Sequence, residues 1–176
     1  ALVRLLHDLA LRREEVVSLD LEHLDLDGGT VAVLGKGRTE REKLTLPEPT
    51  REALLAWLDA RGTEPGPLFT NFDRAKKGRR LTGTAVYLIV RDLGEQIGMK
   101  LRPHGLRHAA ITEALDATGG DLRAVQRFSR HRDVRVLNVY DDNRQDLAGK
   151  VARLVAGGTS TGLVTTQEHS APEVAS

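Results

Sequence analysis

Apolar side chains open the chain at helical spacing: Leu2, Leu5, Leu6 and Leu9 share one face, with no clear cap ahead of them. A second short helix is predicted over residues 11–19. The period then falls to two. Leu24 and Leu26 flank Asp25, a turn follows at Asp27, Gly28 and Gly29, and Val31, Val33, Leu44 and Leu46 alternate with small or polar neighbours. Residues 21–46 therefore read as an antiparallel sheet of two or three strands. Pro47 and Pro49 end it, and Thr50 is expected to cap a helix carrying Leu54, Leu55, Trp57 and Leu58. After a loop over residues 62–66 and a short buried touch at Leu68 and Phe69, Thr82 can cap the next helix. Its stripe of Val86, Ile89, Val90, Leu93 and Ile97, closed by Gly98, is predicted as core.

Further helices are expected over residues 104–117, stopped by Gly119 and Gly120, over 121–128, from Asp133 to about Tyr140, and over 145–155. Past Gly157 the composition turns to Gly, Thr, Ser and Ala with little period, which reads as a flexible tail. The fold class that follows is α+β, mainly helical, with a small antiparallel sheet or hairpin at one side. Residues 1–156 form the structured part and 157–176 the tail. No internal repeat is visible.

Composition narrows the function more than the fold. A chain of 176 residues suits one domain with a real core, and its start inside a helical pattern without Met reads as a piece of something longer. No apolar run approaches the ~18 residues that span a bilayer, so no membrane partner and a cytoplasmic setting are expected. The absence of cysteine excludes disulfides, thiolate zinc sites and a cysteine nucleophile. A formal net charge of +1 is not that of a strongly basic nucleic-acid binder, so any such role must come from local clusters. One cluster is Arg74, Lys76, Lys77, Arg79 and Arg80, a solvated loop on the plain reading and a contact to the phosphate backbone on the other. Aromatic residues are too few for a platform on which single-stranded bases stack.

The richest chemistry lies between Pro103 and Tyr140. His104, Arg107 and His108 fall on one helical stretch, His131 follows after a second helix-sized segment, and Tyr140 comes nine residues later. Taken singly, each has a structural reading: cap or core histidines, an arginine paired with a carboxylate, a half-buried tyrosine. A metal site at His104, His108 and His131 is disfavoured by the adjoining arginine and by the lack of a glutamate between the paired histidines. Earlier in the chain, Arg12 and Glu15 lie three residues apart on one helix face, which by itself predicts a surface ion pair of little worth. Lys36 sits between Gly35 and Gly37 in a hairpin connection that runs on to Arg38, where the backbone can approach a phosphate strand closely.

In order, these positions resemble the catalytic signature of the tyrosine recombinases, the phage integrase family. Ala10, Leu11, Arg12 and Glu15 resemble the first-arginine segment, with Ala10 where the family has glycine. Gly35, Lys36 and Gly37 match the hairpin lysine, and His104, Arg107 and His108 match the His-x-x-Arg box. Ser129 and Arg130 precede His131 where Leu-Gly is usual, and Tyr140 falls at the nucleophile.

The resemblance covers residues 1 to about 156 and implies a catalytic domain whose N-terminal clamp domain is absent here. It implies cleavage and rejoining of duplex DNA by a homotetramer on DNA, through a 3′-phosphotyrosine, with the isolated domain monomeric and with no metal, cofactor or ATP. Arg12 and Arg107 would bind the phosphate oxygens, Tyr140 would attack, His104 would take its proton, His131 would donate to the phosphate and Lys36 would protonate the leaving oxygen. Glu15 and His108 would support them, and Arg38, Arg74, Lys76, Lys77, Arg79 and Arg80 would contact DNA. The alternatives are a DNA-binding relative without turnover, and strand nicking of the type IB topoisomerase or telomere resolvase kind.

Overall fold

The computed structural model describes residues 1–73, 75, 77–138, 140 and 147–158. The chain divides into two compact units, Ala1–Asp141 and Asp142–Ser176, and each is described by itself.

In the first unit, α1 (Leu2–Asp8) and α2 (Arg13–Val17) meet at a sharp corner and lead through a 3-10 turn (Leu21–His23) into the sheet. The predicted second helix is thus shorter than its apolar pattern. Ala10 takes a left-handed φ of 45°, and Leu11 returns its N–H to the carbonyl of Leu5, so the chain cannot re-enter a helix before Arg12. The sheet has three antiparallel strands in the order β1 (Leu24–Asp25), β2 (Thr30–Leu34) and β3 (Arg41–Thr45). Leu24 faces Val31, and Val33 faces Glu42. Alternation on β2 buries Val31 and Val33, while β3 leaves Arg41, Lys43 and Thr45 exposed. The connection between β2 and β3, residues 35–40, holds Lys36 at the edge of the sheet.

Four longer helices follow in this unit. The first, α3 (Glu48–Arg61), is capped by Pro47, with Pro49 in the first turn where its missing N–H costs nothing. Thr50 is therefore inside the helix and not its cap. Fully buried, it donates its hydroxyl to Asp8 Oδ2 at 2.7 Å and ties α3 to α1. In α4 (Gly83–Gln96), Thr82 caps as expected by accepting from the Ala85 N–H at 3.1 Å.

The buried face of α4, however, is Val86, Val90 and Gly94, and Ile89, Leu93 and Ile97 are exposed. Gly94 explains the rotation. A Cβ there would come within 2.5 Å of the Met99 carbonyl, so the following chain lies directly on the bare backbone and that face turns inward. The last two, α5 (Pro103–Ala117) and α6 (Leu122–Ser129, capped by Asp121), match their predicted spans closely. Residues 135–138 and 140 are helical.

Two apolar cores result. One joins α1, α2, the sheet, α3 and α4 around Leu5, Leu11, Leu19, Val31, Leu54 and Val86. The second joins Ala10, Ile111, Leu115, Val125 and Leu137, and Tyr140 packs against it. Ala10, at the corner after α1, therefore belongs to the core on which the tyrosine segment rests. In the second unit, α7 (Leu147–Gly158) carries exposed Val151, Leu154 and Val155 at helical spacing. The predicted tail beyond Gly158 lies outside the described residues. Among those described, no helix is long and apolar enough to cross a membrane.

Candidate active site

A cavity of about 790 Å³ opens where the α1–α2 corner, the β2–β3 connection, the start of α5 and the segment after α6 converge. Arg12, Lys36, His104, Arg107 and His131, drawn from these four segments, all line it, together with Arg13, Arg38 and Arg102. Arg12 arrives as the N-cap of α2 in an extended conformation. Glu15 holds it twice: Oε2 accepts the Arg12 N–H at 2.8 Å and Oε1 accepts from Nη1 at 2.7 Å.

Glu15 is not the surface partner that its spacing suggests. It is 3% exposed, and its Oε2 also meets Arg130 Nη2 at 3.1 Å. Burial pushes its carboxyl up, but the Arg130 guanidinium and the Arg12 backbone and side-chain donors together hold it below the ordinary value. A carboxylate of this kind contributes stability above its unfolded pKa, about 4.5, and loses it as pH falls through the lower folded value. Glu15→Gln is expected to cost about 3 kcal/mol in urea unfolding at pH 7, because it leaves a buried guanidinium uncompensated. The difference from the parent protein should shrink steadily below pH 4.5, and a gap independent of pH would refute the charge argument.

Arg107 comes from the buried face of α5, shared with Ala110, Ile111 and Leu115, and is itself 3% exposed. Nη1 donates to the Ala10 carbonyl, and Nη2 to the Ser129 carbonyl at 2.6 Å and toward His131 Nε2 at 3.3 Å. Burial first, then Arg12 and Arg130, lower its pKa to about 10, which still leaves it charged at neutral pH. His131 has Nδ1 2.9 Å from Ser129 Oγ. With Nε2 accepting from Arg107, its ring proton belongs on Nδ1. Burial and the three neighbouring arginines lower its pKa to about 4, so the imidazole is neutral. In this arrangement His131 orients Arg107 and presents no Nε2 proton to the cavity.

His104 and His108, one turn apart, lie on the exposed flank of α5 with Nε2 atoms 2.7 Å apart and ring centres at 4.2 Å. The Tyr140 hydroxyl sits 3.2 Å from His108 Nε2, with the two rings 4.7 Å apart. His108, read from the sequence as a support, is thus the group in contact with the tyrosine, and His104 stands behind it toward the cavity. Partial burial, His104 and Arg107 hold His108 below its ordinary value, so it is a neutral acceptor. Burial raises the tyrosine, and Arg107 opposes that.

Lys36 is exposed at the hairpin. Its neighbour Gly37 has φ 69° and gives its carbonyl to Arg132 Nη2 at 2.7 Å, a tether that the sequence did not suggest. A Cβ on Gly37 would come within 2.9 Å of that same nitrogen. Arg38 is exposed beside it. Of the basic run, Lys77 and Arg79 are exposed, and Arg74 and Lys76 lie outside the described residues. Arg80 differs from the expectation. Its guanidinium binds Asp20 and the carbonyls of Val17 and Leu19, which fastens the loop to the segment after α2. Among the described residues, His104, His108 and His131, the histidines weighed above as metal ligands, belong to no cluster with acidic groups. The group of that kind among the described residues is Asp20, Glu22 and His23 on the 3-10 turn, away from the cavity.

Comparison with known proteins agrees with this geometry. A profile of the phage integrase family matches residues 1–146. A tyrosine recombinase of Synechocystis sp. is 40% identical over 160 residues, 89% of this chain and 51% of that protein. Tyrosine recombinase XerC of Pseudomonas aeruginosa is 42% identical over 144 residues, 80% of this chain and 46% of the relative. The chain thus spans about half the length of the curated relatives it matches. Among solved structures, XerA recombinase superposes with a TM-score of 0.66 at 25% identity, over 86% of this chain and 56% of that one. XerH recombinase bound to its difH substrate before cleavage gives 0.67 at 25%, over 84% and 43%. A mainly helical fold with a small sheet, an ordered set of arginine, lysine, histidine and tyrosine positions, and a profile match over most of its length place this chain in the phage integrase family, the tyrosine recombinases.

Proposed function

We propose that this chain is the catalytic part of a site-specific DNA recombinase that cleaves and rejoins duplex DNA through a 3′-phosphotyrosine at Tyr140. The observation that carries this reading is the convergence of Arg12, Lys36, His104, Arg107 and His131 on one cavity, with the Tyr140 hydroxyl hydrogen-bonded at its edge through His108. No position of the set is missing, which speaks against a relative without turnover. The similar proteins are recombinases, which favours strand exchange over nicking alone.

The chemistry follows from the charges. A phosphodiester entering the cavity meets the Arg12 and Arg107 guanidiniums, whose planar donors match its non-bridging oxygens and the charge that builds on them in the transition state. The N-terminus of α5, whose cap Arg102 makes no side-chain hydrogen bond to it, adds to the positive field. Two fixed guanidiniums and a lysine supply that charge from protein alone, so the reaction is expected to proceed without metal or ATP. The anion reverses the depression of His131, whose protonated ring then donates from Nε2. Tyr140 gives its proton to neutral His108, and the phenolate oxygen bonds to phosphorus as the bond to the 5′-oxygen breaks. Lys36, on its exposed connection, protonates that oxygen. The energy of the broken bond stays in the phosphotyrosine for religation.

Residues 1–156 form the catalytic part in this reading. The partner is duplex DNA, met by Arg38 at the cavity and by the exposed Lys77 and Arg79 of the loop before Arg80, and the active assembly is a homotetramer on DNA. The test is covalent capture. The chain is incubated in EDTA with a pool of nicked duplexes of random sequence, denatured, and mapped by mass spectrometry. DNA attached to residue 140 is the expected result. Attachment elsewhere, or capture that needs a divalent metal, would overturn it.

A further inference from the structure

We infer that Arg130 is a positioning residue for strand cleavage: its buried guanidinium joins the corner that presents Arg12 to the segment that presents His131, and so sets where Arg12, Arg107 and His131 meet the phosphate. The inference rests on the reading of the cavity as a phosphodiester site. Arg130 stands outside the lining of that cavity and borders a smaller cleft beside it with Lys36 and Arg132. It is 8% exposed, and its four bonds all run to the corner or to its own helix end. Nη1 donates to the carbonyls of Leu9 and Phe128, each at 3.0 Å, and Nη2 donates to the Ala10 carbonyl and Glu15 Oε2, each at 3.1 Å.

Two of these partners, Ala10 and Glu15, also serve residues of the cavity, and so does the adjacent Ser129. The Ala10 carbonyl accepts from Arg107 as well, so one oxygen registers both guanidiniums. Glu15 grips Arg12 through its backbone and its side chain. Ser129, next to Arg130, supplies a carbonyl to Arg107 and a hydroxyl to His131. Backbone conformation points the same way. Among the described residues the non-glycine positions with positive φ are Ala10, at 45°, and Arg130, at 55°, and these two, 120 residues apart, are bonded to each other. Conformations of this kind persist where the surroundings over-determine them. A glycine would take φ 55° without a Cβ conflict. The chain instead places its largest hydrogen-bonding fork there.

Arg130→Gly is the informative variant, because it keeps the backbone conformation and removes only the fork. Arg130→Lys keeps the charge without the fork. Two readouts are taken on the full chain, well below each variant's melting temperature, so that the folded fractions are equal. In the first, inorganic phosphate is titrated while the His131 ring is followed by NMR. In the second, the single-turnover rate of covalent capture is measured at saturating concentrations of a duplex selected by the parent protein.

Arg130→Gly is expected to need about tenfold more phosphate and to cleave about 100-fold more slowly, as displaced catalytic groups do, with Arg130→Lys between it and the parent. A change above about threefold in both readouts supports the inference. Melting lowered with either readout within threefold would make Arg130 merely structural and overturn it. Should Arg130→Gly not fold, Arg130→Lys is judged by the same thresholds. Failure of the parent protein to capture any duplex would count against the phosphodiester reading, and the phosphate titration would still decide whether Arg130 orders the cavity.

Discussion

Tyr140→Phe is expected to abolish covalent capture of DNA, a loss of at least about 10⁴-fold, in line with the removal of a sole nucleophile. The variant deletes one oxygen and leaves the scaffold in place. Leu137, fully buried one turn earlier, still anchors the segment, and a phenylalanine ring keeps the contact with His108. The lost hydrogen bond to His108 is worth about 1 kcal/mol, so melting should move by only a few degrees. Noncovalent DNA binding should stay within about threefold, since the hydroxyl contributes little to affinity beside the arginines. The parent protein's pH profile carries a second signature. A base held below its ordinary 6.5 loses its proton before that value is reached, so the titration of His108 should lower capture only on the acid side of it. A persistent product in the Phe variant, on a denaturing gel, would place the nucleophile elsewhere.

Arg107→Lys is expected to lower the single-turnover rate about 10³-fold and to destabilise the fold by about 3 kcal/mol, two effects with one cause. The guanidinium satisfies the buried carbonyls of Ala10 and Ser129 from one side and faces the cavity and His131 from the other. An ammonium has the charge but no rigid fork, so it cannot serve both carbonyls and a phosphate oxygen together. Urea unfolding measures the loss of stability and rapid-quench cleavage the loss of rate. Loss of stability with the rate of the folded protein unchanged would show that Arg107 holds the corner and does not touch the reacting phosphate.

Much of this could be read along the chain because it depends on near neighbours. The fall of the apolar period from helical spacing to two between residues 19 and 24 marked the sheet, Thr82 and Asp121 marked two helix starts, and the spacing of His104, Arg107 and His108 put them on one helix. What failed did so where the deciding contact is remote. Thr50 looked like a cap because serine and threonine suit that role, yet Pro47 begins the helix and Asp8, 42 residues away, takes the hydroxyl. Ile89 and Leu93 fit an apolar stripe, but the close approach of Met99 to Gly94 chose the other face.

The sequence by itself determined the helices, the sheet and the order of the chemical groups, since periodicity, capping and turn residues act within a few positions. Tertiary structure decided which charges are buried and what they hold. Arg12 and Glu15 at i and i+3 imply an exposed pair, and only tertiary packing brings Arg130, at the end of α6, across 115 residues to bury the carboxylate of Glu15 in an ion pair of its own. It also decided that His108, and not His104, touches Tyr140. Burial of a charge is set by every element that closes around it, and no local pattern encodes that sum.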